Sequence, residues 1–437
     1  MKINEFYKSK GFVKYLKNTS WLLSERILRV IVSLFIGVWV TRYLGPKNFG
    51  LFSYVQAFVM LFASVASLGL NNILIRELVK GKIKSEKLLA TSYILKIIGA
   101  CILFLLLLVF TFIISDNVDE RRYIYIIGIG VFFQSFDVID SFFQSKVRSK
   151  YIVYANLFSL LLSSILKITF LLINAPLIYF VYLVLFDSIT LASGFVFFAF
   201  TKGKFKFNKF KFDFQLAKSM LRESWPLVLS SVAVSFYMRI DQVMIKQMLG
   251  DFQNGEYAAA IRLSESIYFI PLIICSSLFP AIVNAKKNSN ELYMNRLQKL
   301  YDIMVWMAIF IALPISLFSE EIILLFFKKE YINAADVLSI HVWTGIFVFL
   351  GIAFGKFLIV EGYTNKVLYK TILGATINFT INYFLIPIYG IKGAAIATFI
   401  SQFTANYLYD FFDKDLRLQL LMKTKSFLPI HLLKNKK

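Results

Sequence analysis

The stretch TRYLGPKNFG, from Thr41 to Gly50, stands between two long apolar runs and gives the first indication of the fold. A Leu-Gly pair followed by Pro ends a helix, because Gly tolerates a left-handed backbone and Pro supplies no N–H for helical hydrogen bonds. The second Gly, five residues further on, allows the next span to begin. The stretch therefore predicts a turn between two helices, and a similar stretch, KQMLGDFQNG, occurs at residues 246–255.

The composition of the 437-residue chain is that of a membrane protein. Hydrophobic residues make up 58% and charged residues 17%, with a mean hydropathy of +0.68, whereas a soluble domain has about 45–50% apolar and about 25% charged residues. A membrane-spanning helix needs about 20 mainly apolar residues, and alternating strands are not found in the sequence, so we predict an all-α integral membrane protein. The twelve predicted transmembrane helices cover residues 21–44, 49–70, 88–114, 123–145, 151–174, 177–200, 224–248, 257–283, 301–325, 335–360, 367–389 and 393–413.

The net charge of +22 predicts the topology. If the N-terminus is cytoplasmic, the cytoplasmic segments hold 33 Lys and Arg, and the loops on the other side hold six. Cytoplasmic loops carry the basic excess in membrane proteins, so we predict that both termini are cytoplasmic. The positive charge then faces anionic membrane lipids, and no nucleic-acid partner is needed to explain it.

The two halves of the chain carry the same landmarks. Ser-Trp opens the first predicted helix at residues 20–21 and the seventh at 224–225, and a Leu-Gly pair follows 24 or 25 residues after the Trp. Because each half has six helices, an even number, both halves begin on the same side of the membrane. This predicts two parallel-related six-helix bundles around a central cavity. The predicted parts are an N-terminal lobe (1–200), a basic cytoplasmic linker (201–223), a C-terminal lobe (224–413) and a basic cytoplasmic tail (414–437).

Polar side chains form stripes along the predicted helices. An ionisable side chain near the bilayer centre costs about 2.5–3.5 kcal/mol, so such residues face a bundle interior or a water-filled cavity. Interhelical pairing is one interpretation, with Lys167 against Asp137 or Asp140 and Arg262 with Glu265; a cavity lining is the other. The stripes contain Glu25, Arg26 and Arg29; Gln134, Asp137, Ser141 and Gln144; Asn156, Ser159, Ser163 and Lys167; Arg239, Gln242 and Lys246; Arg262, Glu265 and Ser266; and Thr371, Asn378 and Asn382.

An excess of cations occurs on the first helices of each half. Buried guanidinium groups favour an anionic substrate, because they bind phosphate oxygens bidentately. We therefore predict that five residues line the cavity and bind the substrate: Arg26, Arg29, Arg239, Lys246 and Arg262.

Motifs for enzymatic chemistry are missing from the sequence. There is no phosphate-binding loop, no nucleophile elbow and no zinc-ligand spacing, and two Cys with two His give neither a disulfide framework nor a metal centre. We predict a protein that is not an enzyme and needs no cofactor or metal.

Several segments resemble the polysaccharide flippases of the Wzx or RfbX type, within the MATE-like exporter superfamily. VTRYLGPKNFGLFSY in the first half resembles the start of that family, and RIDQVMIKQMLGDFQNGEYAAAIRLSE resembles its seventh and eighth helices. NFTINYFLIPIYGIKGAAIATFIS, with Asn378, Asn382 and Pro387, resembles its last two helices. The resemblance covers nearly the whole chain, although Asp251 stands where the first half has Pro46.

The resemblance implies a flippase that works by alternating access in the bacterial cytoplasmic membrane. Its substrate would be a polyprenyl-pyrophosphate-linked oligosaccharide, such as an O-antigen or capsule repeat unit, which moves from the inner to the outer leaflet. The five cations would bind the pyrophosphate, and Asp241, with Glu25 as a second choice, would respond to a coupling proton or sodium ion. Membrane lipids, a polysaccharide polymerase and chain-length proteins are the partners that it implies.

Two other functions stay open at this point. A MATE-like small-molecule exporter has the same fold, but its drug-exporting members favour acidic and apolar cavities for cationic cargo. A membrane polysaccharide polymerase usually needs a large outside loop, and the predicted outside loops have at most about ten residues.

Overall fold

The computed structural model describes residues 10–203 and 211–428, and these residues form an all-helical protein. His431 and parts of the predicted N-terminal segment, linker and tail lie outside the described residues. The α-helices are α1 (Lys10–Ser67), α2 (Leu70–Lys80), α3 (Ser85–Ile114), α4 (Val118–Gln134), α5 (Val138–Ser145), α6 (Lys150–Leu172), α7 (Leu177–Phe198), α8 (Phe214–Leu249), α9 (Asp251–Glu265), α10 (Phe269–Asn288), α11 (Asn290–Leu317), α12 (Ser319–Phe326), α13 (Ala334–His341), α14 (Thr344–Val360), α15 (Thr364–Tyr389), α16 (Ile391–Phe403), α17 (Tyr409–Phe412) and α18 (Arg417–Ser426).

Within the described residues, ten helical segments are long and apolar enough to cross a membrane. The prediction of a multi-pass membrane protein is thereby confirmed, while the number twelve stays a prediction. One segment, Ser20–Lys80, covers two of the predicted spans. The predicted span 393–413 is not among the ten, and a π turn at Thr404–Leu408 divides the helix there.

The helix breaks predicted at the two Leu-Gly pairs are confirmed. Gly45 interrupts α1 with φ 68° and ψ 168°, and Pro46 then opens the second part of the helix, where a missing N–H costs nothing. Gly250 has φ 97° and separates α8 from α9. Both glycines adopt a backbone that side chains with a Cβ rarely take, which explains why Gly occupies both positions.

The chain divides into two compact units. Unit 1 contains Met1–Tyr43 and Val55–Ser235, and unit 2 contains Leu44–Tyr54 and Phe236–Lys437. The segment Leu44–Tyr54 therefore packs with residues of the second half of the sequence.

Three further helix breaks occur inside predicted spans. A 3₁₀ turn at Ser135–Asp137 separates α4 from α5, and another at Ser266–Tyr268 separates α9 from α10. Pro271 explains the second break, since its ring removes the hydrogen bond that a helix would make to residue 267. α13 ends at His341 and α14 begins at Thr344. Short 3₁₀ pieces within a helix often mark functional positions, and ionisable residues lie at all three breaks.

Each unit has its own hydrophobic core. In unit 1 the core joins α2, α3 and α5, with Leu74, Leu88 and Phe143 fully or almost fully buried. In unit 2 it joins α11 and α14 and reaches Met422 of α18.

Candidate functional site

A buried carboxylate in unit 2, Asp241 of α8, is the centre of a polar cluster. Its Oδ2 accepts a hydrogen bond of 2.8 Å from Tyr257 Oη of α9 and a further one from Thr398 Oγ1 of α16, and its Oδ1 accepts one of 2.6 Å from Asn382 Nδ2 of α15. Asn382 Nδ2 also lies 3.1 Å from Asn378 Oδ1. These five residues are called the Asp241 cluster below.

The Asp241 cluster contains one carboxyl group without a cationic partner. Asp241 is 5% exposed, and none of the ion pairs of the described residues includes it. A buried charge is costly unless it is paired, and the three donors compensate only part of that cost. Asn382 Oδ1 is buried and lacks a hydrogen-bond partner. A carboxylate beside a spare carbonyl oxygen is a suitable arrangement for a proton or a small cation.

A cavity of about 20 Å³ adjoins the Asp241 cluster, which is room for one water molecule. Glu265 and His341 line it, so the ionisable residues at two of the helix breaks face the same small space as Asp241. His341 Nδ1 lies 2.8 Å from Ser264 Oγ. Among the described residues, no group of three or more His, Cys, Asp or Glu side chains forms a metal-binding cluster.

Arg239 and Lys246, two of the predicted cations of unit 2, lie beside carboxylates. Arg239 Nη1 is 3.5 Å from Glu265 Oε2, and Lys246 Nζ is 3.0 Å from Asp251 Oδ1. Lys246 also lies over the ring of Tyr54, 5.8 Å from its centroid. Arg262 of α9 is half-buried.

The predicted charges on α1 belong to unit 1. Arg29 Nε donates to Glu25 Oε1 at 2.7 Å, so these two residues form an ion pair on one face of the helix. Glu25 is 8% exposed, whereas Arg26 is exposed. Because Glu25 has a cation at contact distance and Asp241 has none, the two candidates for ion coupling differ in their surroundings.

Gln134 and Asp137 of the fourth predicted span and the whole polar stripe of the fifth line one cavity of about 470 Å³ in unit 1, here called the unit 1 cavity. α6 and α7 supply much of its wall, and α1, α4 and the 3₁₀ turn after α4 supply the rest. Its polar lining residues are Arg29, Ser33, Gln134, Asp137, Asn156, Ser159, Ser163, Lys167, Asp187 and Ser188, and its apolar ones are Phe133, Leu160, Leu191, Ala192 and Phe195.

The ion pairs differ from the pairings considered for the sequence. Lys167 Nζ lies 3.6 Å from Asp187 Oδ2 on α7, while Asp137 accepts a hydrogen bond from Lys96 on α3. Glu265 pairs with Arg239 on a neighbouring helix. The pairing of Lys167 with Asp137 or Asp140 was wrong, because Asp187 on α7 lies nearer to the amine.

Several residues of these sites were missed in the sequence. Tyr257 and Thr398 lie within the segments that resemble the family, and nothing in those segments singles out their hydroxyl groups. Lys96 and Asp187 are each the one charged residue of the predicted span that contains them, and neither was assigned to a polar stripe. A single charge inside an apolar run was the available indication.

The comparison with protein families identifies the class of the chain. The polysaccharide biosynthesis protein family matches residues 15–286, more than half of the sequence, and the chain belongs to that family. A second family, MatE, matches residues 226–384. The predicted membership of the MATE-like superfamily is confirmed, and with it the interpretation as a transporter and not an enzyme.

Two curated relatives cover most of the chain. The probable low-salt glycan biosynthesis flippase Agl15 of Haloferax volcanii is 24% identical over 383 residues, which are 84% of this chain and 77% of the relative. The capsular polysaccharide biosynthesis protein CapF of Staphylococcus aureus is 25% identical over 413 residues, which are 91% of this chain and 99% of CapF.

Solved structures show the same fold. An inward-facing multidrug resistance MATE family transporter superposes with a TM-score of 0.72 and 16% identity, over 91% of this chain and 96% of its own. The lipid II flippase MurJ in an inward closed conformation gives a TM-score of 0.68 and 15% identity, over 95% of this chain and 93% of its own.

Proposed function

We propose that this protein is a flippase for polyprenyl-pyrophosphate-linked oligosaccharides. It moves the saccharide from the inner to the outer leaflet of the cytoplasmic membrane by alternating access, with both termini in the cytoplasm and twelve membrane spans. Membership of the polysaccharide biosynthesis protein family is the observation that carries this proposal. The name of the relative Agl15, a probable glycan biosynthesis flippase, supports it.

The pyrophosphate is the part of the substrate that the predicted cations recognise. Arg26, Arg29, Arg239 and Arg262 supply guanidinium groups, with Lys246 as a fifth cation. When substrate binds, Arg29 exchanges its partner Glu25 for phosphate oxygens, and Arg239 exchanges its partner Glu265 in the same way. This exchange keeps the guanidinium groups compensated in the empty state and offers bidentate hydrogen bonds in the loaded one.

Transport is driven by a cation that binds at the Asp241 cluster. Asp241 has three neutral hydrogen-bond donors and no cationic partner, and Asn382 has an unsatisfied buried oxygen beside it. One carboxylate with neutral oxygen ligands suits a proton or a sodium ion and not a transition metal. Glu25 is the second candidate, although Arg29 already compensates its charge. The expected partners are membrane lipids, a polysaccharide polymerase and chain-length proteins.

The experiment is a flipping assay in liposomes with a fluorescent polyprenyl-pyrophosphate-linked oligosaccharide. Arg239→Ala and Arg262→Ala are expected to insert normally and to reduce flipping at least about tenfold, the loss that about 1.4 kcal/mol of binding free energy produces. Lys392→Ala, which removes an exposed cation paired with Asp336, is the matched control. Full activity of both arginine variants would overturn the assignment of these residues.

A small-molecule exporter is the second candidate function. The MatE match over residues 226–384 is the specific observation that favours it. Transport of cationic dyes, without transport of the lipid-linked oligosaccharide, would establish this alternative.

A further inference from the structure

The unit 1 cavity contains charged residues but carries little free charge. Arg29 is bound to Glu25, Lys167 lies 3.6 Å from Asp187 and donates to Ser163 Oγ at 2.8 Å, and Asp137 accepts from the buried Lys96. Each of these three cations is therefore paired with one carboxylate. Arg29 is assigned to the pyrophosphate, so among the described lining residues Lys167 is the remaining cation, and an anionic sugar would have to displace Asp187 from it, which is costly.

The two amide groups of the cavity, in contrast to its charged groups, are open to a ligand. Gln134 of α4 and Asn156 of α6 both line it, and within the part of the chain that the structure describes neither side chain hydrogen-bonds to another protein group. Each amide offers two N–H donors and one carbonyl acceptor. Uncharged hydroxyl groups, which both donate and accept, match this pair of amides.

The remaining wall completes a site for a small polar molecule. Phe133 and Phe195 supply flat apolar faces, and Ser159 supplies a further hydroxyl group. The volume of about 470 Å³ lies in the range of about 300–1,000 Å³ that is usual for ligand pockets. An apolar wall with a few fixed polar groups orients a ligand that has one apolar face and a polar rim.

We propose that the unit 1 cavity binds one uncharged sugar ring of the transported saccharide. This inference rests on the proposed flippase function and names the chemical class of sugar that the site selects. The ring lies against Phe133 or Phe195, and its hydroxyl groups bond to Gln134 and Asn156. A uronic acid or another anionic sugar is excluded because Lys167 is already paired with Asp187 and Arg29 is taken by the pyrophosphate.

The experiment measures binding of soluble glycosides to the full-length protein in lipid nanodiscs, which avoid detergents with sugar head groups. Saturation-transfer NMR compares three neutral probes, methyl glucoside, methyl galactoside and methyl N-acetylglucosaminide, with methyl glucuronide and inorganic pyrophosphate. We expect at least one neutral glycoside to bind and to keep its affinity when glucuronide or pyrophosphate is added. This comparison uses the wild-type protein and does not depend on any variant.

Two variants place the glycoside in the cavity. Gln134→Leu and Asn156→Leu each remove an amide at nearly constant size, and each is expected to weaken glycoside binding about 3- to 10-fold, the effect of one hydrogen bond. Gln144→Leu is the matched control, because its amide is bound to Asp140 and lies outside the cavity lining. Melting temperatures equal to that of the wild type show that the variants are folded.

Three results would overturn the proposal: no binding of any neutral glycoside, binding of glucuronide at least as tight as that of the neutral probes, or an equal loss in the Gln144 variant. The flippase function fails by a different result, namely no transport of lipid-linked saccharide by the wild type. Transport together with absent glycoside binding would refute this site alone.

Discussion

Gly50 and Gly255 lie in a reciprocal backbone contact within unit 2. A Cβ on Gly50 would overlap the carbonyl oxygen of Asp251, and a Cβ on Gly255 would overlap that of Pro46. Asp251 and Pro46 are the first residues after the two helix-breaking glycines. In each repeat, the second glycine of the motif therefore contacts the residue that follows the first glycine in the other repeat. Asn254 Nδ2 adds a hydrogen bond of 2.7 Å to Gly50 O.

Gly255→Ala is expected to separate the segment Leu44–Tyr54 from α9. The methyl group has no room against Pro46, and overpacking of this kind costs about 1–3 kcal/mol. A lower melting temperature and faster proteolysis near residues 44–54 are the expected observations. Gly355→Ala is the control, because its Cβ meets nothing within 4 Å and Ala favours the helix of α14. Equal melting temperatures of the two variants would contradict the contact.

The pair Asp410–Lys423 is expected to hold the C-terminal helix α18 in place. Both side chains are fully buried and their charged atoms are 2.7 Å apart, with Lys423 also 3.5 Å from the ring centroid of Phe354. Removing one partner leaves a buried charge, which costs about 3–5 kcal/mol. We therefore expect Asp410→Leu to lower the melting temperature strongly.

Two comparisons make this prediction specific. The double variant Asp410→Leu with Lys423→Met removes both charges and is expected to recover much of the lost stability. Asp336→Ala breaks an exposed pair with Lys392 and should change stability by only about 0–1 kcal/mol. A double variant that is less stable than Asp410→Leu would show that the ion pair is not the cause.

Asp241→Asn is expected to remove the dependence of transport on a cation gradient. The substitution keeps the size of the side chain and removes the charge that attracts a proton or a sodium ion. Coupling free energies of about 1–3 kcal/mol correspond to about 5- to 150-fold stimulation, and this stimulation should disappear. Flipping in liposomes with imposed proton or sodium gradients measures it. Asp336→Asn is the control; unchanged stimulation in Asp241→Asn would exclude Asp241 as the coupling residue.

Asp213, which lies between two membrane-spanning segments, provides a pH test. A hydrogen bond from Lys87 and another from the backbone N–H of Leu216 lower the pKa of its carboxyl group. A lowered pKa in the folded state stabilises the protein above the ordinary aspartate pKa of about 3.9, and this contribution is lost as the pH falls further. The difference in melting temperature between wild type and Asp213→Asn should therefore be present at neutral pH and shrink below about pH 4. A difference that grows on acidification would contradict this assignment.

The sequence predicts the helices and both glycine breaks because hydropathy and backbone preference are local properties. It also identified Asp241, Asn378 and Asn382 as polar positions within spans. It did not show that the two glycine motifs touch, since a repeat shows which positions correspond to each other and not which positions are in contact. The partners Asp187 and Lys96 were missed because pairing across helices depends on packing, which the spacing along one helix does not contain.

The most direct test of the flippase function is made with the purified wild-type protein in liposomes. The assay follows a fluorescent polyprenyl-pyrophosphate-linked oligosaccharide and, in parallel, a cationic dye. We expect protein-dependent flipping of the lipid-linked oligosaccharide and no transport of the dye. Transport of the dye, with the oligosaccharide left in its original leaflet, would contradict the proposed function.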